Sequence, residues 1–175
     1  HLSDKYYGVY DTKTDKEMKA ALQHSPTPKY SVVIPTYGHI QDCLIPCLES
    51  ICQWTDFNNT EIIVVANGCD EDTRHYVGTL DFKLVWFDDP VGFTKATNAG
   101  IDAARGEYII FLNNDCEVLS PYWISLLQQL WDMTPNAGVV GPSIEDAYSG
   151  QFCAFYCAMT SRAVIDQIGK LDEVF

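Results

Sequence analysis

From Tyr30 onward, short runs of β-branched and aromatic residues alternate with stretches in which apolar side chains recur every three or four positions. The runs "YSVVIP", "EIIVVA", "FKLVWF" and "GEYIIFL" are apolar along their length rather than at every second residue, the pattern of strands buried on both faces. Between the first two, "IQDCLIPCLESICQW" places Leu44, Leu48, Ile51 and Cys52 on one helical face, with Pro46 confined to the first turn or to a kink. "EDTRHYVGTL", "FTKATNAGIDAA" and "PYWISLLQQLWDM" predict three more helices, and "AGVVGP" a short fifth strand. Such alternation predicts an α/β fold, a mostly parallel sheet with helices on both faces. Residues 1–29 differ, being polar, rich in Lys and Asp, and closed by "SPTPK". There Thr14 with Glu17 reads as a capping box for a short helix to about Gln23, which the prolines end. The expected organisation is a leader over 1–29 followed by one domain over 30–175.

Composition narrows the function. A length of 175 residues suits one core, and 47% hydrophobic residues exclude a disordered chain. The charge of −13, from 11 Lys and Arg against 24 Asp and Glu, excludes sequence-independent binding to nucleic acid. An anionic ligand therefore needs a metal or a local dipole to hold it. No apolar stretch is long enough to span a membrane, so no membrane segment is expected. Seven cysteines without a CxxC pair predict free thiols and a reducing, cytoplasmic setting. The first residue is His1 rather than Met, which predicts a piece of a longer protein.

In open parallel sheets, ligands bind beyond the carboxyl ends of the strands. Here the four strand ends carry Pro35-Thr36-Tyr37-Gly38, Asn67-Gly68-Cys69-Asp70, Asp88-Asp89-Pro90 and Asn113-Asn114-Asp115. Asp115 is a hard oxygen ligand suited to Mg²⁺ or Mn²⁺, or else a cap for the helix near Pro121. Asn114 is a neutral contact to metal-bound water or ribose, or a turn residue, and Asn113 is a turn residue. Tyr37 suits stacking on a base, or a place in the core. Asn67 suits the edge of a uracil ring, though Asn-Gly is also a common turn. Lys95 and the helix start at Gly92–Thr94 suit a diphosphate, or lysine is simply solvated. The pairs Cys43/Cys47 and Cys153/Cys157 fit buried free thiols better than a thiolate metal site.

Four segments, in this order, then carry a resemblance: "SVVIPTYG", "EIIVVANGCDEDT", "VGFTKATNAGIDAARGEYIIFLNNDCEV" and "AVIDQIGKLDEVF". From about Tyr30 to Phe175 the chain resembles the family 2 glycosyltransferases, which have the Rossmann-like GT-A fold and use nucleotide-diphospho sugars. The resemblance implies Asp115 at the metal position of a DxD-like motif, with Mn²⁺ or Mg²⁺ as cofactor, and Pro35, Thr36, Tyr37, Asn67, Lys95 and Asn114 around the nucleotide. Asp172 and Glu173 fall where the family approaches the acceptor, a glycan, lipid or protein. At positions usually acidic this chain has Ala66 and Asn113, and Asn114 stands where the family is acidic or small. The family's usual general base lies about a dozen residues past the "DE", beyond Phe175. So either Asp172 or Glu173 is the base, or, as expected here, the chain is the donor-binding part of a longer enzyme. The implied activity is inverting, metal-dependent transfer from a nucleotide-diphospho sugar, a UDP-sugar favoured.

Three rivals remain. A nucleotidyltransferase needs a basic, Gly-rich loop after the first strand, and "PTYGHIQD" has one glycine and no Lys or Arg. A catalytically silent GT-A-like binding module accounts for Ala66 and Asn113. A flavodoxin-like domain fits the alternation but leaves "FLNND" and "IGKLDEVF" without a role.

Overall fold

The computed structural model describes residues 28–146 and 150–174; the leader helix expected near Thr14–Gln23 lies outside them. Strands β1 (Tyr30–Thr36), β2 (Thr60–Asn67), β3 (Lys83–Phe87) and β4 (Tyr108–Leu112) run parallel in the order β3-β2-β1-β4. Two further strands, β5 (Ser143–Asp146) and β6 (Gly150–Cys153), pair with each other in a separate antiparallel sheet. The fifth strand of the main sheet is β7 (Cys157–Ser161), antiparallel to β4. The expected strand "AGVVGP" is corrected: it contributes a single bridge, Val140 to Met159. Pro142 offers no N–H to a ladder, and Gly141 lies so close to β7 that a Cβ there would stand 2.6 Å from the Cys157 carbonyl oxygen.

The helices are α1 (Ile45–Trp54), α2 (Glu71–Thr79), α3 (Phe93–Ala103), α4 (Trp123–Met133) and α5 (Arg162–Ile168). A π-turn over Ile40–Leu44 leads into α1, and Pro46 sits in the first turn, where its missing N–H costs nothing.

Alternation along the strands sorts the core into two layers. Val32 and Ile34, Ile62 and Val64, and Ile110 and Leu112 pack with Leu44 of the π-turn, Leu48 and Ile51 of α1, Val77 of α2 and Leu127 of α4. Their neighbours Val33, Ile63, Val65, Ile109 and Phe111 pack with Ala96 and Ile101 of α3, against which Ile165 of α5 also rests. Helix α3 lies unusually close to the sheet. A Cβ on Gly100 would come within 2.3 Å of Val33 Cγ1 and 3.0 Å of Val65 Cγ2, so only glycine permits this approach.

At the amino end of the sheet, Glu61 is 1% exposed. Its Oε1 accepts from Ser31 Oγ and from the Arg105 backbone N–H, both at 2.6 Å. Its Oε2 accepts from Arg105 Nε at 3.0 Å and Nη2 at 2.9 Å. Ser31 Oγ in turn accepts from the Gly106 N–H at 2.8 Å, so β1, β2 and the turn into β4 share one polar knot. Burial pushes the Glu61 carboxyl up, but the bonds from Ser31 and Arg105 outweigh it and hold the pKa below its ordinary 4.5.

Replacing Glu61 by Gln removes the charge while leaving the Arg105 guanidinium donors short of an acceptor, and is expected to lower unfolding free energy by about 2–3 kcal/mol at neutral pH. Because the folded pKa is depressed, the contribution is complete above the unfolded value and is lost as pH falls through the folded one. Urea titrations should show the gap between wild type and Glu61→Gln constant near neutrality and closing below about pH 4; a gap independent of pH contradicts the ionic account.

Candidate active site

The carboxyl ends of the strands are joined to one another in sheet order. The Gly68 N–H donates to the Phe87 carbonyl at 3.0 Å, tying β2 to β3. Cys69 Sγ donates to the Thr36 carbonyl at 3.3 Å, tying the loop after β2 to β1. Asn114 Nδ2 donates to Thr36 Oγ1 at 2.9 Å, tying β4 to β1. The Asn113 N–H donates to the Tyr156 carbonyl at 2.9 Å, extending the β4–β7 ladder by one residue. Gly68 has φ of 75°, and a Cβ there would meet Pro90 at 2.6 Å, so the loops after β2 and β3 close on each other only because this residue is glycine.

Around this rim the predicted residues fall in distinct settings. Thr36 and Asn114 are in direct contact. Pro35 is buried within β1, opposite Val65. Tyr37 is 62% exposed, so it is no core tyrosine. Asn67 is buried, and its Oδ1 accepts from the Val91 N–H at 2.7 Å, which anchors the loop entering α3. Lys95 is exposed in the first turn of α3, whose N-cap, Gly92, has no side chain to satisfy the leading N–H groups. Asp88 accepts from Trp86 Nε1 at 2.9 Å, which turns it toward its own strand.

Asp115 is exposed and does not cap α4, whose N-cap position is Tyr122. Among the described residues its carboxylate meets only the Cys116 thiol, at 3.9 Å. At the end of β4, Asp115 is an accessible hard carboxylate, which fits an ion held largely by substrate phosphates and water. No cluster of three His, Cys, Asp or Glu is present among the described residues. The thiols beneath the β4 tip are free, and burial pushes Cys47 and Cys157 up to about 12, far from thiolate.

Asp172 and Glu173 lie in the segment after α5, which meets α3 at Asn98. Asp172 Oδ1 accepts from the Val174 N–H at 2.9 Å. Glu173 Oε1 accepts from Asn98 Nδ2 at 2.9 Å. Asn98 is a residue that sequence reasoning missed. Its signal was a polar side chain three positions before Ile101, on the helical face that meets the sheet.

A mostly parallel five-stranded sheet with an antiparallel fifth strand and polar residues gathered at one rim defines the GT-A class of transferase fold. Residues 31–154 match Glycosyl transferase family 2, and the chain belongs to that family. It is 35% identical over 108 residues to the GalNAc(5)-diNAcBac-PP-undecaprenol beta-1,3-glucosyltransferase of Campylobacter jejuni, covering 58% of this chain and 34% of that one. Its structure resembles the mannosyltransferase PcManGT of Pyrobaculum calidifontis in complex with GDP-Man and Mn²⁺, with a TM-score of 0.69 and 17% identity over 93% of this chain and 55% of that one. It also resembles S. aureus TarS in complex with UDP, with a TM-score of 0.61 and 18% identity over 83% of this chain and 50% of that one. The chain spans between 9% and 34% of three curated relatives that it matches. No described helix is long and apolar enough to cross a membrane.

Truncating Asn67 to Ala strands the Val91 N–H and should cost about 1–2 kcal/mol. Hydrogen exchange at the Val91 amide checks the cause. Protection should fall in Asn67→Ala and persist in Asn67→Asp, which keeps the acceptor.

Proposed function

We propose that the chain is the donor-binding domain of a family 2 glycosyltransferase that moves a sugar from a nucleotide-diphospho sugar, a UDP-sugar favoured, to an acceptor hydroxyl with inversion. The observation that carries the reading is the joined rim, in which Asp115 stands exposed beside the Asn114–Thr36 contact. The neighbours holding GDP-Man with Mn²⁺ and UDP support the donor class.

In this reading Tyr37 stacks on the base and the Asn67 amide meets its edge, while Pro35 stiffens the strand end beneath them. Thr36 and Asn114, each positioned by the other, face the ribose and diphosphate. Lys95 and the open N–H groups at the start of α3 meet the phosphates through charge and dipole. Asp115 would hold Mn²⁺ or Mg²⁺, which when bound supplies neutralising charge to the nucleoside diphosphate. The acceptor oxygen attacks the anomeric carbon in line, and the bond to the diphosphate breaks with its electron pair leaving on the nucleotide. The acceptor proton passes to a carboxylate, for which Asp172 and Glu173 are the candidates in this chain. A glycan, lipid or protein acceptor is compatible with the exposed rim.

A second reading, a binding module without turnover, draws on Ala66 and Asn113 at positions that the family usually keeps acidic. Calorimetric titration with UDP, in Mn²⁺ and then in EDTA, separates the two. Binding is expected to require the metal and to weaken at least tenfold in Asp115→Ala, since loss of an outer-shell partner alone costs about ten- to a hundredfold in metal affinity. Affinity that is indifferent to metal and to Asp115 contradicts the proposed site, and silence with UDP, GDP and dTDP favours the second reading.

A further inference from the structure

The turn between β6 and β7 brings two adjacent aromatic residues to the end of β4. The Tyr156 carbonyl accepts from the Asn113 N–H at 2.9 Å and from Cys116 Sγ at 3.6 Å, so its backbone is pinned to residues on both sides of Asp115. Tyr156 faces Asn113 one step past the Leu112–Cys157 pair, and Asp115 follows two residues on, at most about 7 Å along the chain. Phe155 is fixed differently. Its ring stacks on Phe111 of β4, with centroids 5.1 Å apart and planes inclined by 23°. The Ala154 N–H before it donates to the Pro142 carbonyl at 2.9 Å. Despite these ties both side chains are open, Phe155 at 37% and Tyr156 at 39% exposure. A held backbone that leaves its rings half in water is suited to a ligand with an apolar face.

Charge limits what that ligand is. From Gly106 to Ser161 the sequence has no Lys, Arg or His, a stretch that runs from β4 through α4 to β7. A phosphate, sulfate or carboxylate on an incoming molecule finds no positive side chain on it, and Glu117 stands exposed there. An uncharged pyranose meets neither difficulty. One of its faces is lined by C–H bonds and packs on an aromatic ring, while the hydroxyls at its edge keep their water.

Sheet order separates an acceptor sugar from the donor's own. The base, ribose and phosphate contacts proposed above lie over β2, β1 and the start of α3; Asp115 stands at the end of β4, and β7 comes next. In-line displacement sets the attacking oxygen opposite the departing diphosphate across the anomeric carbon. With the nucleotide on the β1 side of Asp115, the attacking group enters from the β7 side.

We propose that Phe155 and Tyr156 form the acceptor seat, a stacking platform for an uncharged pyranose that carries the attacking hydroxyl. This rests on the transferase reading given above, and it narrows the acceptor to a glycan that is neutral where it meets the site.

The test uses the intact protein loaded with Mn²⁺ and UDP and titrated with free saccharides, read by saturation-transfer NMR. Cellobiose, N,N′-diacetylchitobiose and methyl galactoside are the neutral probes, and glucuronic acid is the anionic one. Calorimetry with UDP, UDP-glucose and UDP-N-acetylgalactosamine reads the donor side. At least one neutral saccharide is expected to bind, and to weaken by at least about fivefold in Tyr156→Ala and in Phe155→Leu, while UDP affinity stays within about twofold. Leucine keeps the apolar bulk without the flat face. Tyr156→Phe keeps the ring and should keep most of the binding, and glucuronic acid should bind more weakly than the neutral probes. If Phe155→Leu does not fold, Tyr156→Ala carries the test, because the bonds that seat the turn use the Tyr156 carbonyl and not its ring.

Saccharide binding that is absent from the UDP-loaded wild type, or indifferent to both side chains, overturns the inference and leaves the transferase reading standing. A loss confined to the UDP-sugars, with UDP and free saccharides unmoved, also overturns it, since the platform would then seat the donor's sugar. Glucuronic acid bound as well as the neutral probes overturns the restriction to a neutral glycan. A wild type that binds no UDP overturns the transferase reading itself, and the inference with it, on that measurement alone.

Discussion

Burial of the central strands on both faces is the constraint from which the rest follows. All but one of the residues in β1, and every residue in β2, are buried, so the body of these two central strands offers no side chain to water or a ligand. Polar chemistry is driven to the strand ends. At the amino end it becomes the closed Ser31–Glu61–Arg105 knot, whose partners are all within the protein. At the carboxyl end it becomes a rim in which Tyr37, Lys95 and Asp115 stand exposed above bonded neighbours. The two ends share a scaffold and differ in satisfaction. The bonded end holds the strands in register, and the other end keeps exposed polar side chains.

Rigidity at the rim comes from small bonds arranged in series rather than from any strong one. Each link joins adjacent strands or the loops that leave them, from β3 through β2 and β1 to β4 and β7, and each is an ordinary hydrogen bond of modest net worth. Their number matters because a transferase must hold the donor and the attacking group within a narrow geometry, and effective molarity falls quickly with misplacement. Helix α3 extends that order across the site. Its contact with the sheet at Gly100 removes the side-chain cushion that would otherwise permit rocking.

The family assignment and the fold agree, yet the site is sparer in carboxylates than the resemblance leads one to expect. Ala66 is fully buried, and Asn113 gives its N–H and carbonyl to the neighbouring strand and to Cys47. Both positions are thus absorbed into the scaffold. At the end of β4 the acidic character falls on Asp115, with Asp70, Asp88 and Asp89 exposed at the ends of β2 and β3.

Four parallel strands, their intervening helices, the placement of Pro46 and the polar residues at the strand ends were legible in the sequence, because two-sided burial writes itself as unbroken apolar runs and helices as a three-to-four period. Asp115 was legible as an exposed carboxylate for the same reason, since it interrupts a buried run. The last strand was not. "CAMTS" lacks β-branched weight, and an antiparallel partner is chosen by pairing with β4, not by its own composition. Asn67, Asn98 and Glu61 were present as letters, but their roles depend on Val91, Leu171, Glu173 and Arg105, groups far away in the chain. Periodicity reports which side of an element is dry. Which polar group meets which across the fold is decided only when the helices settle on the sheet, since a hydrogen bond depends on distances that no local pattern encodes.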